Sequence, residues 1–406
     1  MAHRRTTLFL VLLAALRPAH ARWAPVERPT DADLNSVCIL PGGEGWAVGD
    51  GGTVVATTDG GETWTPQPLL MRNRLTSVSF ATPLVGWVSG DGGEAARTTS
   101  GGEAWNAVTV VQDDLGLGPP DTVAPLIATG ERSAWALARW GDATFLYHTT
   151  DGGAMWDTVR YTDRGYNSPG TIFEMAFSSD TEGWLLAGRI TGPPQAYIPV
   201  FLYTADGGAH WQALDAYATP LSQPSTPNWS ATLGASSPTN ILAHVWDPDR
   251  AAGSVFRVVK DPQELWRQVA VPLDAPVSSV SFPSAENAWL VGGATHQSVD
   301  FGHTFRRAEN PEAQPLAAAF AGDFLGVAVG PGGRVYRWEP DPPGDVNGDG
   351  RVDLADAVLA ASMLAGGPPA DALSRRLADV DPAPDGDGEI TSADAAAILR
   401  LAGGLE

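Results

Sequence analysis

The stretch TTDGGETW at residues 57–64 recurs with small changes along the chain. Clear copies read TTSGGEAW (98–105), TTDGGAMW (149–156) and TADGGAHW (204–211), and degenerate copies read VKDPQELW (259–266) and SVDFGHTF (298–305). We call this repeat the DGG turn. Its Asp carboxylate can accept backbone N–H bonds, and its glycines supply positive φ angles. The repeat therefore predicts a structural turn rather than a set of catalytic carboxylates.

Two strand patterns repeat in step with the DGG turn. One set reads LNSVCIL (34–40), LTSVSFA (75–81), VAPLIAT (123–129), IFEMAFS (172–178), WSATLGA (229–235), VSSVSFP (277–283) and PLAAAFA (315–321). The other reads GWAVGDGG (45–52), GWVSGDGG (86–93), AWALARWG (134–141), GWLLAGRI (183–190), NILAHVWD (240–247), AWLVGGAT (288–295) and GVAVGPGG (326–333). Short strands at this spacing, with seven members in each set, predict an all-β seven-bladed propeller over residues 22–338.

The last repeat unit lacks a fourth strand after GGRVYRW (332–338). RWAPVERP (22–29) resembles the strand TWTPQPLL (63–70), so that Trp23 takes the position of Trp64. We expect residues 22–29 to pair into the last blade, because this pairing closes the ring and removes an exposed sheet edge.

The DGG turn resembles the Asp-box, or BNR, repeat of secreted β-propellers. TTDGGxxW combined with GWxVG strands looks most like the photosystem II assembly factor and sortilin-like group, over residues 22–340. Sialidases and xyloglucan-degrading glycosidases share the motif. The resemblance implies the fold and leaves the activity open, because this fold hosts many chemistries.

Residues 1–21 have the pattern of a signal peptide. Arg4 and Arg5 precede an apolar run from Leu8 to Leu16, and Ala19-His20-Ala21 forms a cleavage site. The apolar run is too short to cross a bilayer, so we expect a bacterial protein that is secreted or held at the cell surface, without a transmembrane segment. The net charge of −22 argues against nucleic acid as a partner.

Long insertions are expected on one face of the propeller, opposite the DGG turns. Their aromatic residues, with those of adjacent turns, form the predicted site for a protein or glycan ligand: Trp140, Tyr166, Tyr197, Tyr217 and Trp246. The alternative is that these residues only pack their own loops. We predict no catalytic residue, because the carboxylates of the rim turns, Asp113, Asp114, Asp247 and Asp249, do not single out an acid–base pair.

A Pro-rich linker (339–344) precedes DVNGDGRVDLAD (345–356), which fits a twelve-residue EF-hand loop. The predicted Ca²⁺ ligands are Asp345, Asn347, Asp349, the Arg351 carbonyl, Asp353 and Asp356, with Gly350 at the sharp turn. A second, stretched loop, DVDPAPDGDGEITSAD (379–394), contains Asp379, Asp381, Asp385, Asp387, the Glu389 carbonyl, Thr391 and Asp394. Its first ligand is either Asp379, which leaves four extra residues, or Asp381, which leaves two.

Each loop leads into an Ala/Leu-rich helical stretch that ends in glycines. Asp at position 12, and the absence of a helix before the first loop, make residues 345–404 resemble a dockerin with two Ca²⁺ sites. The resemblance implies a cohesin or surface scaffold partner. Loop positions 10 and 11, often Ser-Thr in that family, are Leu354-Ala355 and Ser392-Ala393 here.

The sequence therefore favours a secreted, calcium-binding adaptor without catalytic activity. Its propeller would bind a protein or glycan, and its dockerin would attach it to an extracellular scaffold. Two alternatives remain open: a glycoside hydrolase that degrades polysaccharides in a cellulosome-like system, and an assembly factor for a membrane complex.

Overall fold

The computed structural model describes residues 22–111, 116, 118–141, 143–160, 171–191, 196–214, 230–237, 240–247, 252–259, 267–269, 276–284, 287–300, 302–308, 310–321, 325–347, 351–365, 377–380 and 390–403. The chain divides into two compact units. The first spans Arg22–Pro340, and the second includes Asp341–Glu406.

The first unit is all-β, and its described strands form seven four-stranded antiparallel sheets. The first three sheets contain β2 (Leu34–Ile39), β3 (Gly45–Gly49), β4 (Val54–Thr57) and β5 (Thr65–Pro66); β6 (Leu75–Phe80), β7 (Gly86–Gly90), β8 (Ala95–Thr98) and β9 (Asn106–Val108); and β10 (Thr122–Ala128), β11 (Ala134–Trp140), β12 (Ala143–Thr149) and β13 (Asp157–Val159).

The next three sheets contain β14 (Ile172–Phe177), β15 (Gly183–Thr191), β16 (Ala196–Thr204) and β17 (Gln212–Leu214); β18 (Ser230–Ser237), β19 (Asn240–Asp247), β20 (Ala252–Val259) and β21 (Arg267–Val269); and β22 (Val277–Ser281), β23 (Ala288–Gly292), β24 (Thr295–Ser298) and β25 (Arg306–Ala308). The last sheet contains β26 (Ala317–Ala321), β27 (Leu325–Val329), β28 (Val335–Glu339) and β1 (Arg22–Val26).

The sheets follow one another around a ring. The first strand of each contacts the first strand of the next in the closed order β2, β6, β10, β14, β18, β22, β26 and back to β2. We call these seven strands the inner strands and the sheets blades 1 to 7. This arrangement is a β-propeller, the fold class that the repeats predict.

The N-terminal strand β1 is the outer strand of blade 7. It pairs antiparallel with β28, with Arg22 opposite Glu339 and Trp23 opposite Trp338. The Trp23 and Trp338 rings meet edge-on at 5.3 Å, and Trp23 Nε1 donates to Thr295 Oγ1 of blade 6 at 3.1 Å. An ion pair of 2.7 Å joins Arg22 to Glu339. The two ends of the propeller sequence are thus held in one sheet.

The DGG turns are held by their own side chains. Asp59 accepts hydrogen bonds from the N–H and the hydroxyl of Thr63, and these bonds lower the pKa of Asp59 to about 2. Thr57 Oγ1 accepts from the Gly61 N–H at 3.0 Å. The same two backbone contacts recur from Ser100, Asp151, Asp206 and Asp300 and from Thr98, Thr149, Thr204 and Ser298. The repeated Asp residues are therefore structural in the turns that the structure describes.

The second glycine of the turn also has a packing role. Gly153 has φ of +84°, and a Cβ there would lie 2.7 Å from the Trp87 ring of the preceding blade. At Gly208 the corresponding distance to the Trp135 ring is 2.9 Å. A residue with a side chain would have to adopt an unfavourable backbone angle and displace the ring.

Aromatic stacking joins neighbouring blades. A tryptophan on the second strand of one blade stacks on a phenylalanine near the end of the inner strand of the next blade. The ring centroids are 3.4 Å apart in Trp46–Phe80, 4.2 Å in Trp135–Phe177 and 4.2 Å in Trp289–Phe320. Such pairs stabilise beyond the burial of their apolar area. Two blades, 5 and 7, lack this tryptophan, and blade 7 has Val327 at the same position.

Inner-strand serines form a second kind of link. Ser36 Oγ accepts from the Val78 N–H at 3.3 Å, and Ser77 Oγ accepts from the Leu126 N–H at 2.9 Å. Comparable bonds join Ser79 to Ala128, Ser279 to Ala318 and Ser281 to Phe320. These hydroxyls satisfy backbone donors that face the neighbouring blade instead of a paired strand.

The second unit contains two described helices of equal length, α1 (Leu354–Leu364) and α2 (Ser392–Ala402). Each begins with a capping box, formed by Asp353 with Asp356 and by Thr391 with Asp394. A small apolar core joins the helices to their loops: Val346, Ala357, Ala360, Ala378, Val380 and Ile398 are buried together.

Candidate calcium centre and candidate ligand face

In the first calcium loop, the Asp356 carboxylate is fully buried and organises the backbone. Its two oxygens accept from the Asn347 N–H at 3.0 Å and the Asp353 N–H at 2.8 Å. Asp353 in turn accepts from the Ala355 N–H at 2.7 Å. The last predicted ligand thus bridges the start of the loop to the first turn of α1.

The loop residues have the chemistry of a site for a hard cation. Asp345 and Asp356 are both fully buried, whereas the two described arginines of the unit, Arg351 and Arg400, are exposed. Burying ionised carboxylates is costly unless a cation compensates them. Ca²⁺ prefers carboxylate and carbonyl oxygens, so the residues present fit this ion.

In the second loop, Asp394 repeats the role of Asp356. It is fully buried and accepts from the Val380 N–H at 2.8 Å, from the Thr391 N–H at 2.7 Å and from the Thr391 hydroxyl at 2.9 Å. Val380 and Val346 lie in the same core and stand one residue after Asp379 and Asp345. This correspondence favours Asp379 as the first residue of the loop, with four additional residues before its second half.

Five of the predicted ligands lie outside the described residues: Asp349, Asp381, Asp385, Asp387 and Glu389. Within the part of the unit that the structure describes, no three His, Cys, Asp or Glu side chains form a group that could hold a metal ion. The described ligands therefore frame each loop at its two ends, and the ligand sets remain predictions.

Among the residues of the predicted ligand face, Trp140 packs within its own blade and the loop that precedes it. Its Nε1 donates to the Gly118 carbonyl at 3.2 Å, and its ring meets Phe145 edge-on at 5.5 Å. Trp246 is half-buried beside His244. Tyr166, Tyr217 and the side chain of Tyr197 lie outside what the structure describes, as do those of Asp113, Asp114, Asp247 and Asp249.

A carboxylate that the sequence reasoning missed faces a blade boundary. Glu174 pairs with Leu186 as Ser36 pairs with Val48, so it takes the place of an inner-strand serine. Burial raises the pKa of Glu174 to about 7, although the Met175 N–H and the charge of Arg139 oppose this shift. The Arg139 guanidinium donates to the Ile172 and Phe173 carbonyls at 3.0 and 2.9 Å. The substitution of Glu for Ser in this strand was the available signal.

His244 is the other unexpected group. It is fully buried, neither ring nitrogen has a hydrogen-bond partner, and burial lowers its pKa to about 4. His244 is the fifth residue of the second strand of blade 5, and Gly49 and Gly90 occupy the same position in blades 1 and 2. A Cβ on Gly253 would lie 2.9 Å from its Nε2, so the ring fills the space that this glycine leaves.

The described sheets form a β-propeller, and two stretches of the chain match known family models. Residues 16–160 match the family model of the Photosynthesis system II assembly factor YCF48, and residues 343–401 match the Dockerin type I domain. Dockerin type I domains bind calcium and imply a cohesin partner. A stretch of 61 residues is 36% identical to the Photosystem II assembly protein Ycf48 of Thermosynechococcus vestitus; it covers 14% of this chain and only 18% of that relative.

Solved structures share the propeller fold at low sequence identity. YCF48 bound to D1 peptide has a TM-score of 0.57 and 20% identity, over 80% of this chain and 99% of that one. YCF48 from Cyanidioschyzon merolae has the same TM-score and identity, over 79% and 99%. The GH74 enzyme of Niastella koreensis has a TM-score of 0.52 and 12% identity, over 77% and 53%. At these identities the likeness concerns the fold alone.

None of the described helices is long and apolar enough to cross a bilayer.

Proposed function

We propose that this protein is a secreted, calcium-dependent adaptor without catalytic activity. Its seven blades form one ring that binds a segment of another protein, and its dockerin domain attaches the ring to a cohesin module on an extracellular scaffold. The observation that carries the proposal is the union, in one chain, of a propeller whose repeated Asp residues are structural with a unit that matches a dockerin type I domain.

Calcium is the proposed control of the docking unit. In loop 1 the ligands would be Asp345, Asn347, Asp349, the Arg351 carbonyl, Asp353 and Asp356. In loop 2 they would be Asp379, Asp381, Asp385, Asp387, the Glu389 carbonyl, Thr391 and Asp394. Bound Ca²⁺ would neutralise part of the charge of residues 345–406, where 12 acidic and 4 basic residues leave a net −8. The helices α1 and α2 would then be held in the orientation that a partner recognises.

A protein segment is the proposed ligand of the propeller. Its support is the fold shared with a YCF48 that was solved with a D1 peptide. The insertions of blades 3 to 5 would provide the contact residues, with Trp140, Tyr166, Tyr197, Tyr217 and Trp246 as candidates. Glycan binding at the same face is the alternative that an experiment has to separate.

Surface plasmon resonance on the full chain tests both halves. Immobilised type I cohesin modules should capture the protein in Ca²⁺ and release it in chelator, because the loops fold around the ion. Peptide and glycan arrays probed in the same buffer should give peptide signals that Tyr166→Ala with Tyr197→Ala removes. Release of reducing sugar from plant polysaccharides would reject the adaptor in favour of a glycoside hydrolase.

A further inference from the structure

The second strand of blade 4 extends beyond the inner strand of the same blade. The inner strand β14 pairs with β15 as far as Ala187, and one further bond runs from the Gly188 N–H to the Thr171 carbonyl at 2.9 Å. β15 continues to Thr191 and stays paired with β16 on its other side to that end. Among the residues that the structure describes, 189–191 thus have a partner strand on one side only. We call the side of 189–191 that faces β14 the open edge.

The described strands of the other blades leave no comparable edge. In blade 3 the inner strand accompanies β11 to Arg139, and β11 ends at Trp140. In blade 5 the inner strand accompanies β19 to Trp246, and β19 ends at Asp247. In the remaining four blades the second strand ends at a residue that is itself paired with the inner strand: Gly49, Gly90, Gly292 and Val329.

The hydrogen bonds beside the open edge fix the direction of its backbone groups. In an antiparallel strand the N–H and C=O of one residue point to the same neighbour, and this direction alternates from residue to residue. Gly188 donates toward the inner strand, so Ile190 directs both of its backbone groups to that same side. Ile190 therefore offers one donor and one acceptor at the open edge.

The outer edge of the same two strands is blocked by a proline. Pro199 of β16 lies opposite Gly188. Because Gly188 directs its groups away from β16, this pair is not hydrogen-bonded, and the Pro199 nitrogen faces the outer edge. Proline has no N–H, and proteins place it on sheet edges where an added strand would be harmful. The chain thus closes one edge of this hairpin to strand addition and leaves donors and acceptors at the other.

We infer that an extended segment of a partner protein adds as a further strand to the open edge, with the backbone of Ile190 as its central contact. This inference rests on the proposed binding of a protein segment by the propeller, and it names the place and the mode of binding. An extended main chain carries N–H and C=O groups at the spacing that an unpaired strand edge requires. Three strand residues span about 10 Å, so the contact involves only a few residues of the segment.

The backbone chemistry and the charge of the chain select this occupant. A glycan has hydroxyl groups but no row of alternating amide N–H and C=O groups to continue a sheet. A second copy of this chain would bring another net charge of −22, and like charges oppose that association. A short segment of another protein meets neither obstacle.

Three single substitutions in the full chain test the inference. The probe is the ten-residue peptide that gives the strongest signal on the peptide array, and fluorescence anisotropy measures its Kd. Ile190→Pro removes the N–H at the open edge and should weaken binding at least about tenfold. Ile190→Ala keeps the backbone and should weaken binding less than about threefold. Pro199→Ala adds a donor at the outer edge and should leave the Kd unchanged.

The peptide provides a second test that does not depend on how a variant folds. Only alternate N–H groups of an added strand face the edge that it joins. N-methylation of every second residue of the probe should therefore abolish binding in one phase and preserve it in the other. Equal effects in the two phases would contradict strand addition.

The outcomes separate this inference from the function on which it rests. If no peptide of the array binds the unmodified chain, the proposed binding of a protein segment fails. If a peptide binds and Ile190→Pro leaves its Kd unchanged, the open edge is not the site and the proposed function stands. A loss with Ile190→Ala as large as that with Ile190→Pro would assign the contact to the side chain and overturn the inference. Dimerisation in sedimentation velocity that Ile190→Pro abolishes would assign the edge to a second copy and overturn it as well.

Discussion

The propeller and the dockerin unit obtain their order from different sources. In the propeller, neighbouring blades are joined by stacked rings such as Trp135 on Phe177 and by serine hydroxyls. The turns within each blade satisfy their own backbone groups. In the dockerin unit a small core is combined with fully buried carboxylates, Asp345, Asp356 and Asp394. The described contacts of the propeller are packing contacts and hydrogen bonds, whereas the other unit has buried negative charge that a cation would balance.

Removing calcium should produce the largest effect and should affect one unit only. In chelator we expect the helical circular dichroism signal of α1 and α2 to be lost, since the carboxylates would repel one another. The propeller should melt at the same temperature with and without the ion. Scanning calorimetry resolves the two transitions. A propeller transition that moves with chelator, or helices that persist in it, would remove the contrast between the units.

Cutting the closure of the ring should be the largest effect within the propeller. Trp23→Ala removes an edge-on contact with Trp338 and a hydrogen bond to Thr295, and we expect it to cost about 3–5 kcal/mol of the free energy of unfolding. The calcium-dependent transition should not change. Denaturant titration followed by tryptophan fluorescence measures the loss.

Arg22→Ala is the control for that experiment, because it removes a partly exposed ion pair in the same strand. Its expected cost is below about 1 kcal/mol. If Trp23→Ala lowered the free energy of unfolding as little as Arg22→Ala does, the packing of the N-terminal strand would contribute little to the stability of the ring.

Acid should weaken the propeller through His244. Burial lowers the pKa of His244 from 6.5 to about 4 in the folded state, so the folded state favours the neutral ring. The contribution is complete above pH 6.5 and is lost as the pH falls toward 4, which amounts to about 3 kcal/mol. His244→Asn should flatten the pH dependence of the propeller transition over this range. A variant with an unchanged slope would show that other groups carry the acid response.

Much of the propeller could be predicted because its repeats are local. The DGG turn fixes its glycines and its Asp within eight residues, and the likeness of 22–29 to 63–70 indicated the strand that pairs with β28. The serine links were not predicted, because they depend on which residues of two separate strands come together. Glu174 and His244 were missed as special groups for the same reason: the burial of a side chain by several neighbouring strands is not a property of one strand.

For the dockerin unit, the sequence predicted the spacing of the calcium ligands. It did not predict which residue begins the stretched loop. Counting residues left Asp379 and Asp381 as equal candidates for the first position. The position of Val380, which lies in the core with Val346, favours Asp379. The place of an insertion within a loop depends on which residues reach the core, and the spacing of the ligands does not show this.

The smallest expected effect separates backbone strain from packing at two glycines, Gly153 of a DGG turn and Gly51 of the turn that follows β3. Gly153 and Gly51 both have positive φ, +84° and +66°, but a Cβ at Gly153 would lie 2.7 Å from the Trp87 ring, whereas one at Gly51 would have nothing within 4 Å. Gly51→Ala should cost about 1–2 kcal/mol from the backbone angle alone. Gly153→Ala should cost about 1–3 kcal/mol more, because the ring has to move. Urea titration of both variants measures the difference, which belongs entirely to the contact between blades. Equal costs would mean that the Trp87 ring moves aside without cost. Rigid packing between these two blades would then not contribute to the stability of the propeller.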